Sequence, residues 1–232
     1  QDIGVRHDGT HRIAVPHLGA EDGLPYFAME FIEGRPIDIA AAEIDRVRRR
    51  VLTRSGVEAA YDRLLLATGS NPFIIPVPGK DLPGVLAYRD LDDVNAMLLA
   101  AQSRTKAVVI GGGLLGLEAA NGLMKQGMDV TVVHLLDTLM ERQLDKPAAA
   151  LLKASLEARG LRFLMEAQTA EILGDERVTG VKFADGSEVP ADLVVMAAGV
   201  RPRSELAREA GLLVEPWGGI TVNDRLQTSD PL

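Results

Sequence analysis

The sequence predicts an α/β fold in which a parallel sheet is covered on both faces by helices. Three observations predict it. Between residues 106 and 165, apolar strand-like runs alternate with helical ones in the order strand, helix, strand, helix, strand. The run "AVVI", residues 107–110, leads straight into Gly111, Gly113 and Gly116, the G-x-G-x-x-G spacing that opens a nucleotide-binding helix. Over residues 170–198, apolar and polar residues alternate around two turns, Gly174-Asp175 and Asp185-Gly186, which describes a small antiparallel meander returning to an apolar strand.

The elements follow in order. Residues 24–37, "LPYFAMEFIEGRPI", read as a strand-like run and a Gly-Arg-Pro turn. No H-R-D or D-F-G element follows, so their faint likeness to a protein-kinase hinge is read as accidental or as the sign of an unusual N-terminal join. From Ile44 two strands are expected around Arg54-Ser55-Gly56, then a buried strand over residues 64–67 that ends in Thr68-Gly69. Arg48, Arg49 and Arg50 read as a solvated hairpin edge, where charge also discourages edge-to-edge pairing. Residues 71–84 carry four prolines and two glycines and read as a connector and domain boundary. A helix over 91–102 has Leu91, Val94, Leu98 and Ala101 on one face. A later helix begins near Pro147, which suits a first turn, and ends at Gly160; residues 161–165 form a third strand of the sheet.

Composition narrows the function. A net charge of −8 argues against nucleic acid, whose phosphates are bound by clustered Lys and Arg. With no cysteine, a redox disulfide, a thiolate nucleophile or an iron–sulfur ligand set cannot come from these residues. The four histidines, His7, His11, His17 and His134, make no close metal-binding pattern, and no metal site is expected. No apolar run approaches the roughly 18 residues of a membrane span, and no signal peptide is visible, so the expected location is cytoplasmic. The start at Gln1 rather than Met leads to the expectation of a fragment or a processed chain.

Each glycine of the turn has a task. Gly111 lets the chain turn sharply out of the strand, Gly113 lets a pyrophosphate approach the backbone, and Gly116 lets helix and strand pack closely. Gly112, Leu114 and Leu115 complete the cradle, where the first free N–H groups of the helix and its dipole favour negative charge. About twenty residues further on, a carboxylate commonly holds the ribose hydroxyls of NAD; here that position is His134. A histidine can donate to either ribose, and a protonated one tolerates a phosphate. Arg142 beyond it could do likewise or be a solvated surface arginine. Strict selectivity for NADH or NADPH is written at neither residue, and NADH with dual use is the expectation.

With "YDRLLLATG", "VVIGGGLLGLEAA", "DGSEVPADLVVMAAGVRP" and "TSDP" in that order, the chain resembles the FAD-dependent pyridine nucleotide oxidoreductases. "GGGLLGLEAANGL" and "VVHLLDTLMERQLD" are similar to the flavoprotein region of the large subunit of assimilatory NAD(P)H nitrite reductases, a likeness running over roughly residues 43–231. The resemblance implies a nicotinamide-nucleotide-binding domain inserted in a partial FAD-binding domain. Its expected divisions are an unassigned segment 1–42, a partial FAD-binding domain 43–84, an NAD(P)H-binding domain 85–200, and a truncated return to the FAD-binding domain over 201–232.

It also implies residue roles. Ala67, Thr68 and Gly69 would lie by the flavin nucleotide. Glu118 would lie near the nicotinamide carboxamide, with a helix-face acid as the alternative. Ala198 and Gly199 would line the nicotinamide side, and Arg201 and Pro202 would lead back to the flavin domain, with a helix cap or interdomain salt bridge as other roles for Arg201. Hydride would pass from NAD(P)H to FAD with no acid–base residue of the chain's own. The electrons would go to a siroheme and iron–sulfur region for nitrite reduction, or to a ferredoxin or rubredoxin partner. A third expectation is that the chain by itself is a nucleotide-binding module without turnover, with FAD held only in the intact protein.

Overall fold

The computed structural model describes residues 11–21, 24–34, 41–53 and 56–230. In chain order the elements are β1 His11–Glu21, β2 Leu24–Gly34, β3 Ala41–Asp45, β4 Arg50–Thr53, β5 Glu58–Ala60, β6 Ser70–Pro72, β7 Val85–Ala87, α1 Leu91–Ala101, β8 Lys106–Ile110, α2 Leu114–Lys125, β9 Asp129–Val133, α3 Lys146–Glu157, β10 Arg162–Leu164, β11 Thr169–Leu173, β12 Gly180–Phe183, β13 Glu188–Pro190, β14 Leu193–Met196, β15 Val200–Pro202 and α4 Glu205–Glu209. The chain divides into two compact units: residues Gly69–Arg203, and Gln1–Thr68 together with Ser204–Leu232.

The unit Gly69–Arg203 is built on a five-stranded sheet in the order β10-β9-β8-β14-β7, with every pairing parallel. Its central strands are buried on both faces, which is why "KAVVI", "DVTVV" and "LVVM" read as continuous apolar runs rather than alternating ones. Side chains alternate between two cores. Ala107, Val109, Val130, Val132, Leu193 and Val195 face Met97 of α1, Leu117, Ala120 and Leu123 of α2, and Leu156 of α3. Val108, Ile110, Val133, Val194 and Met196 face Ile172, Val181 and Phe183 of the meander β11-β12-β13. The three layers are therefore helices, sheet and meander. The expectation of helices on both faces is corrected: α1, α2 and α3 share one face, because the apolar side of the antiparallel meander already covers the other.

Both turns of the meander fall where the sequence places them, with Gly174 at φ +142 and Gly186 at φ +85. Pro147 lies in the first turn of α3, whose N-cap Asp145 accepts from the Ala148 N–H, and Gly160 follows the helix at φ +107. The sequence draws a boundary after residue 84, whereas the compact unit begins at Gly69. Ile74, Ile75, Val77 and Leu82 pack against the meander-side core, and the Ile172 and Val178 N–H groups donate to Pro78 O and Pro83 O at 2.9 and 3.0 Å. In α1 the expected apolar face is partly corrected. Met97 is the buried residue, while Leu91 is 79% and Leu98 43% exposed.

In the other unit, β1 and β2 pair antiparallel, so the run expected to be strand-like is a strand over Leu24–Gly34; Arg35 and Pro36 of the expected Gly-Arg-Pro turn, like His7, lie outside the described residues. Strands β3, β4 and β5 form an antiparallel sheet, with the arginine run on the β3–β4 turn and Arg50 paired to Glu58 at 2.7 Å. Arg54 and Ser55, around which the sequence reading expects the two strands, lie outside the described residues. The buried strand expected over 64–67 is not formed. Leu65 is 78% exposed, and no strand among the described residues pairs with this run. A strand exists only through its ladder, and an apolar run without a neighbour cannot make one.

Candidate functional site

In a parallel α/β sheet, ligands bind outside the carboxyl ends of the strands. Here β8 ends at Ile110, β9 at Val133, β14 at Met196 and β7 at Ala87, so the residues following each gather at one edge. They are the glycine turn 111–113, His134, Ala197 to Gly199, and Tyr88 to Leu91.

The glycine turn is held by contacts only glycine permits. Gly111 leaves β8 at φ +129, and a Cβ there would stand 2.2 Å from Ala197 O. A Cβ on Gly116 would meet Gly111 O at 1.9 Å, so the first turn of α2 lies directly on the end of β8. Gly113 differs: it is the N-cap of α2, at φ −84 and ψ −175, and nothing lies within 4 Å of where its Cβ would be. The space in front of it is open.

The helix start is equally bare. Asp90 caps α1 in a capping box with Asp93, and Asp145 caps α3, but α2 has no side-chain cap. Its first N–H groups, which have no acceptor within the helix, face the open space beyond Gly113 with the positive end of the helix dipole behind them. Leu114 is 63% exposed at this end and Leu115 is half-buried. That combination suits an anion such as a pyrophosphate.

Beside Leu115, a cleft of about 320 Å³ is lined by Tyr88, Arg89, Asp90, Leu91, Val94, Leu115 and Glu118. Glu118 is one helical turn past Leu115 and exposed. The Tyr88 phenol is pushed above its usual range by burial and by the Glu118 charge, which places the two side chains in each other's field. A larger cleft, about 640 Å³, is lined by Lys106, Asp129, Arg162 and Phe163. It lies at the amino ends of β8, β9 and β10, the wrong edge for a nucleotide, so size does not identify the site here.

His134 sits beneath the glycine turn. The Gly112 N–H donates to its Nδ1 at 3.1 Å, and its Nε2 lies 3.1 Å from Thr138 O and 3.4 Å from the Glu141 carboxylate. Ala198 and Gly199 are exposed at the end of β14, with Gly199 O accepting from the Phe73 N–H at 2.9 Å. Arg201 lies over the Phe73 ring at 4.7 Å, a cation–π contact inside the same unit. Arg142 is exposed on the turn before α3.

The edge thus brings together Gly111, Gly112, Gly113, Leu114, Leu115, Gly116, Glu118, His134, Ala198 and Gly199. Ala67 and Thr68 belong to the other compact unit, and Gly69 opens this one at φ +70. These three lie between β5 and β6, outside any strand, and the Gly69 carbonyl accepts from the Arg203 N–H at 2.9 Å. Gly112, expected in the cradle, is also fixed by packing, since a Cβ there would stand 2.7 Å from both His134 Cγ and Leu139 Cδ2. One participant escaped the sequence reading. Tyr88 follows a three-residue strand too short to carry a periodic signal.

A family model described as pyridine nucleotide-disulphide oxidoreductase matches residues 31–232. Nitrite reductase [NAD(P)H] of Bacillus subtilis (strain 168) is 53% identical over 189 residues, covering 82% of this chain and 23% of its own length. The ferredoxin–NAD(+) reductase component of the biphenyl dioxygenase system of Paraburkholderia xenovorans (strain LB400) is 40% identical over 169 residues, covering 73% of this chain and 41% of its own. Among solved structures, a ferredoxin reductase from Rhodopseudomonas palustris superposes with a TM-score of 0.78 at 36% identity, covering 82% of this chain and 47% of its own. The chain spans about a quarter of the length of the nitrite reductase it matches.

Proposed function

We propose, from the premise that this chain belongs to the pyridine nucleotide-disulphide oxidoreductase family, that Gly69–Arg203 is the NAD(P)H-binding unit of a flavin-dependent nitrite reductase. Members of the family are FAD- and NAD(P)H-dependent oxidoreductases. The observation that carries the reading is the start of α2, with open space in front of Gly113 and no side chain capping the helix. The pyrophosphate occupies that space and accepts from the first N–H groups of α2, while Gly111 and Gly116 keep the turn tight against β8.

The nicotinamide extends along the cleft beside Leu115, with Glu118 facing its carboxamide and Ala198 and Gly199 on its other side. This chain's work is placement: it orients the hydride donor and offers no proton-transfer group of its own. Flavin, a cofactor of the family, supplies the hydride acceptor in the intact enzyme. Nitrite as the final acceptor is supported by the 53% identity to a nitrite reductase. A second reading, an electron supplier to a ferredoxin, is favoured by the Paraburkholderia relative and the Rhodopseudomonas structure.

Calorimetric titration of the chain with NADH and NADPH tests the unit, and heat of binding from neither would end the reading. The intact enzyme then decides the acceptor. Nitrite-dependent NAD(P)H oxidation supports the first reading, and reduction of a ferredoxin without nitrite turnover would replace it by the second.

A further inference from the structure

His134 stands where a ribose-binding acid is expected, yet its ring is turned inward. The residue is 9% exposed. A backbone N–H can only donate, so the Gly112 N–H at 3.1 Å makes Nδ1 the bare, accepting nitrogen. Nε2 then carries the hydrogen, which is donated to Thr138 O at 3.1 Å with the Glu141 carboxylate 3.4 Å away. Both ring nitrogens are taken by the protein. The turn is also held through its other backbone group, because Gly112 O accepts from the Met140 N–H at 3.0 Å. Residue 112 is therefore bonded through N–H and C=O to the segment 134–140, and it lies close enough to the ring that only glycine fits.

We propose that His134 is a positioning residue of the pyrophosphate-binding turn and contributes no contact to the ribose. The proposal rests on the NAD(P)H reading above and deepens it, because it removes the ring as the reader of the 2′ position. The segment that follows does not replace it. Leu135 and Leu136 are exposed and apolar, Asp137 is paired to Lys146 at 2.7 Å, and Glu141 faces the His134 ring. Asp137 is engaged by Lys146 and Glu141 is turned to the ring at 3.4 Å, so neither carboxylate is placed to hold a ribose diol or to repel a 2′-phosphate. The unit therefore accepts NADH and NADPH with affinities that differ by less than about tenfold, or about 1.4 kcal/mol.

Three readouts on the purified chain test this. Nitrogen-15 spectra of the imidazole should show an unprotonated Nδ1 and a protonated Nε2, unchanged when NADPH saturates the site. Replacing His134 by Leu should speed amide exchange at Gly112 in the free protein. It should also weaken NADH, NADPH and ADP-ribose by one common factor, about tenfold for one buried N–H left without its acceptor. His134→Gln, which keeps an acceptor, should recover most of that loss. An Nδ1–H tautomer would overturn the proposal, as would a loss in His134→Leu that differs between NADH and NADPH by more than about tenfold. If the Leu variant does not fold, the wild-type spectrum and the Gln variant decide by the same criteria. If the wild-type chain binds neither nucleotide, the functional reading fails, whereas the tautomer and the Gly112 exchange still decide whether the ring holds the turn.

Discussion

Gly116 stands over the backbone of Gly111 so closely that a methyl group on it would lie 1.9 Å from the Gly111 carbonyl oxygen. That oxygen is backbone, pinned between β8 and α2, and cannot swing aside. Gly116→Ala should therefore destabilise the fold by about 2 kcal/mol or more, the cost of overpacking against an immovable atom. Thermal melting checks this. A drop of several degrees is expected for a chain of this size, and an unchanged melting temperature would mean that α2 does not lie on β8 as described.

Gly113 should behave in the opposite way. Its φ of −84 is ordinary for any residue and no atom lies within 4 Å of its Cβ position, so Gly113→Val should leave the melting temperature nearly unchanged. The side chain would instead fill the space in front of the helix and abolish NADH and NADPH binding. Retained affinity in that variant would move the pyrophosphate elsewhere.

Asp192 ties the starts of β14 and β8 together, and this gives a pH dependence. Burial raises its carboxyl pKa, but the Thr105 N–H, the Lys106 N–H and the Thr105 hydroxyl, donating at 3.2, 3.0 and 3.1 Å, outweigh that and hold it below the usual carboxylate value. A lowered folded-state pKa means stability that is present above the unfolded value of about 3.9 and is lost as pH falls through the folded one. The melting temperature of wild type should therefore exceed that of Asp192→Asn near neutral pH, and the gap should close below about pH 4. A gap that stays constant down to pH 2 would show that charge has no part in this contact.

The N-cap of α1 borders the cleft beside Leu115 and Glu118. Asp90 Oδ1 accepts from the Asp92 and Asp93 N–H groups at 3.1 Å each, and Asp93 reciprocates to the Asp90 N–H at 3.2 Å. Asp90→Ala should cost about 1 kcal/mol of stability, the usual worth of a cap. Because Asp90 and Leu91 line the cleft, the same change should weaken NADH more than ADP-ribose, which lacks the nicotinamide. Equal weakening of the two ligands would place the nicotinamide away from α1.

The sequence by itself determined the parallel sheet, the glycine turn and the meander. Each is written in a local signal: unbroken apolar runs for strands buried on both faces, glycines where the chain must turn or touch, and alternation around Gly174 and Gly186. These signals need no knowledge of what lies across the fold. Tertiary structure alone decided that residues 64–67 are not a strand, that Met97 rather than Leu91 or Leu98 enters the core, and that one face of the sheet belongs to the meander. Each depends on a partner distant in sequence. His134 shows the difference most plainly. Its place at the end of β9 was legible, but whether the ring meets a ribose or the turn depends on the Gly112 N–H, 22 residues earlier in the chain and 3.1 Å away in the fold. A side chain bonds to whatever packing sets before it, and no local pattern records that.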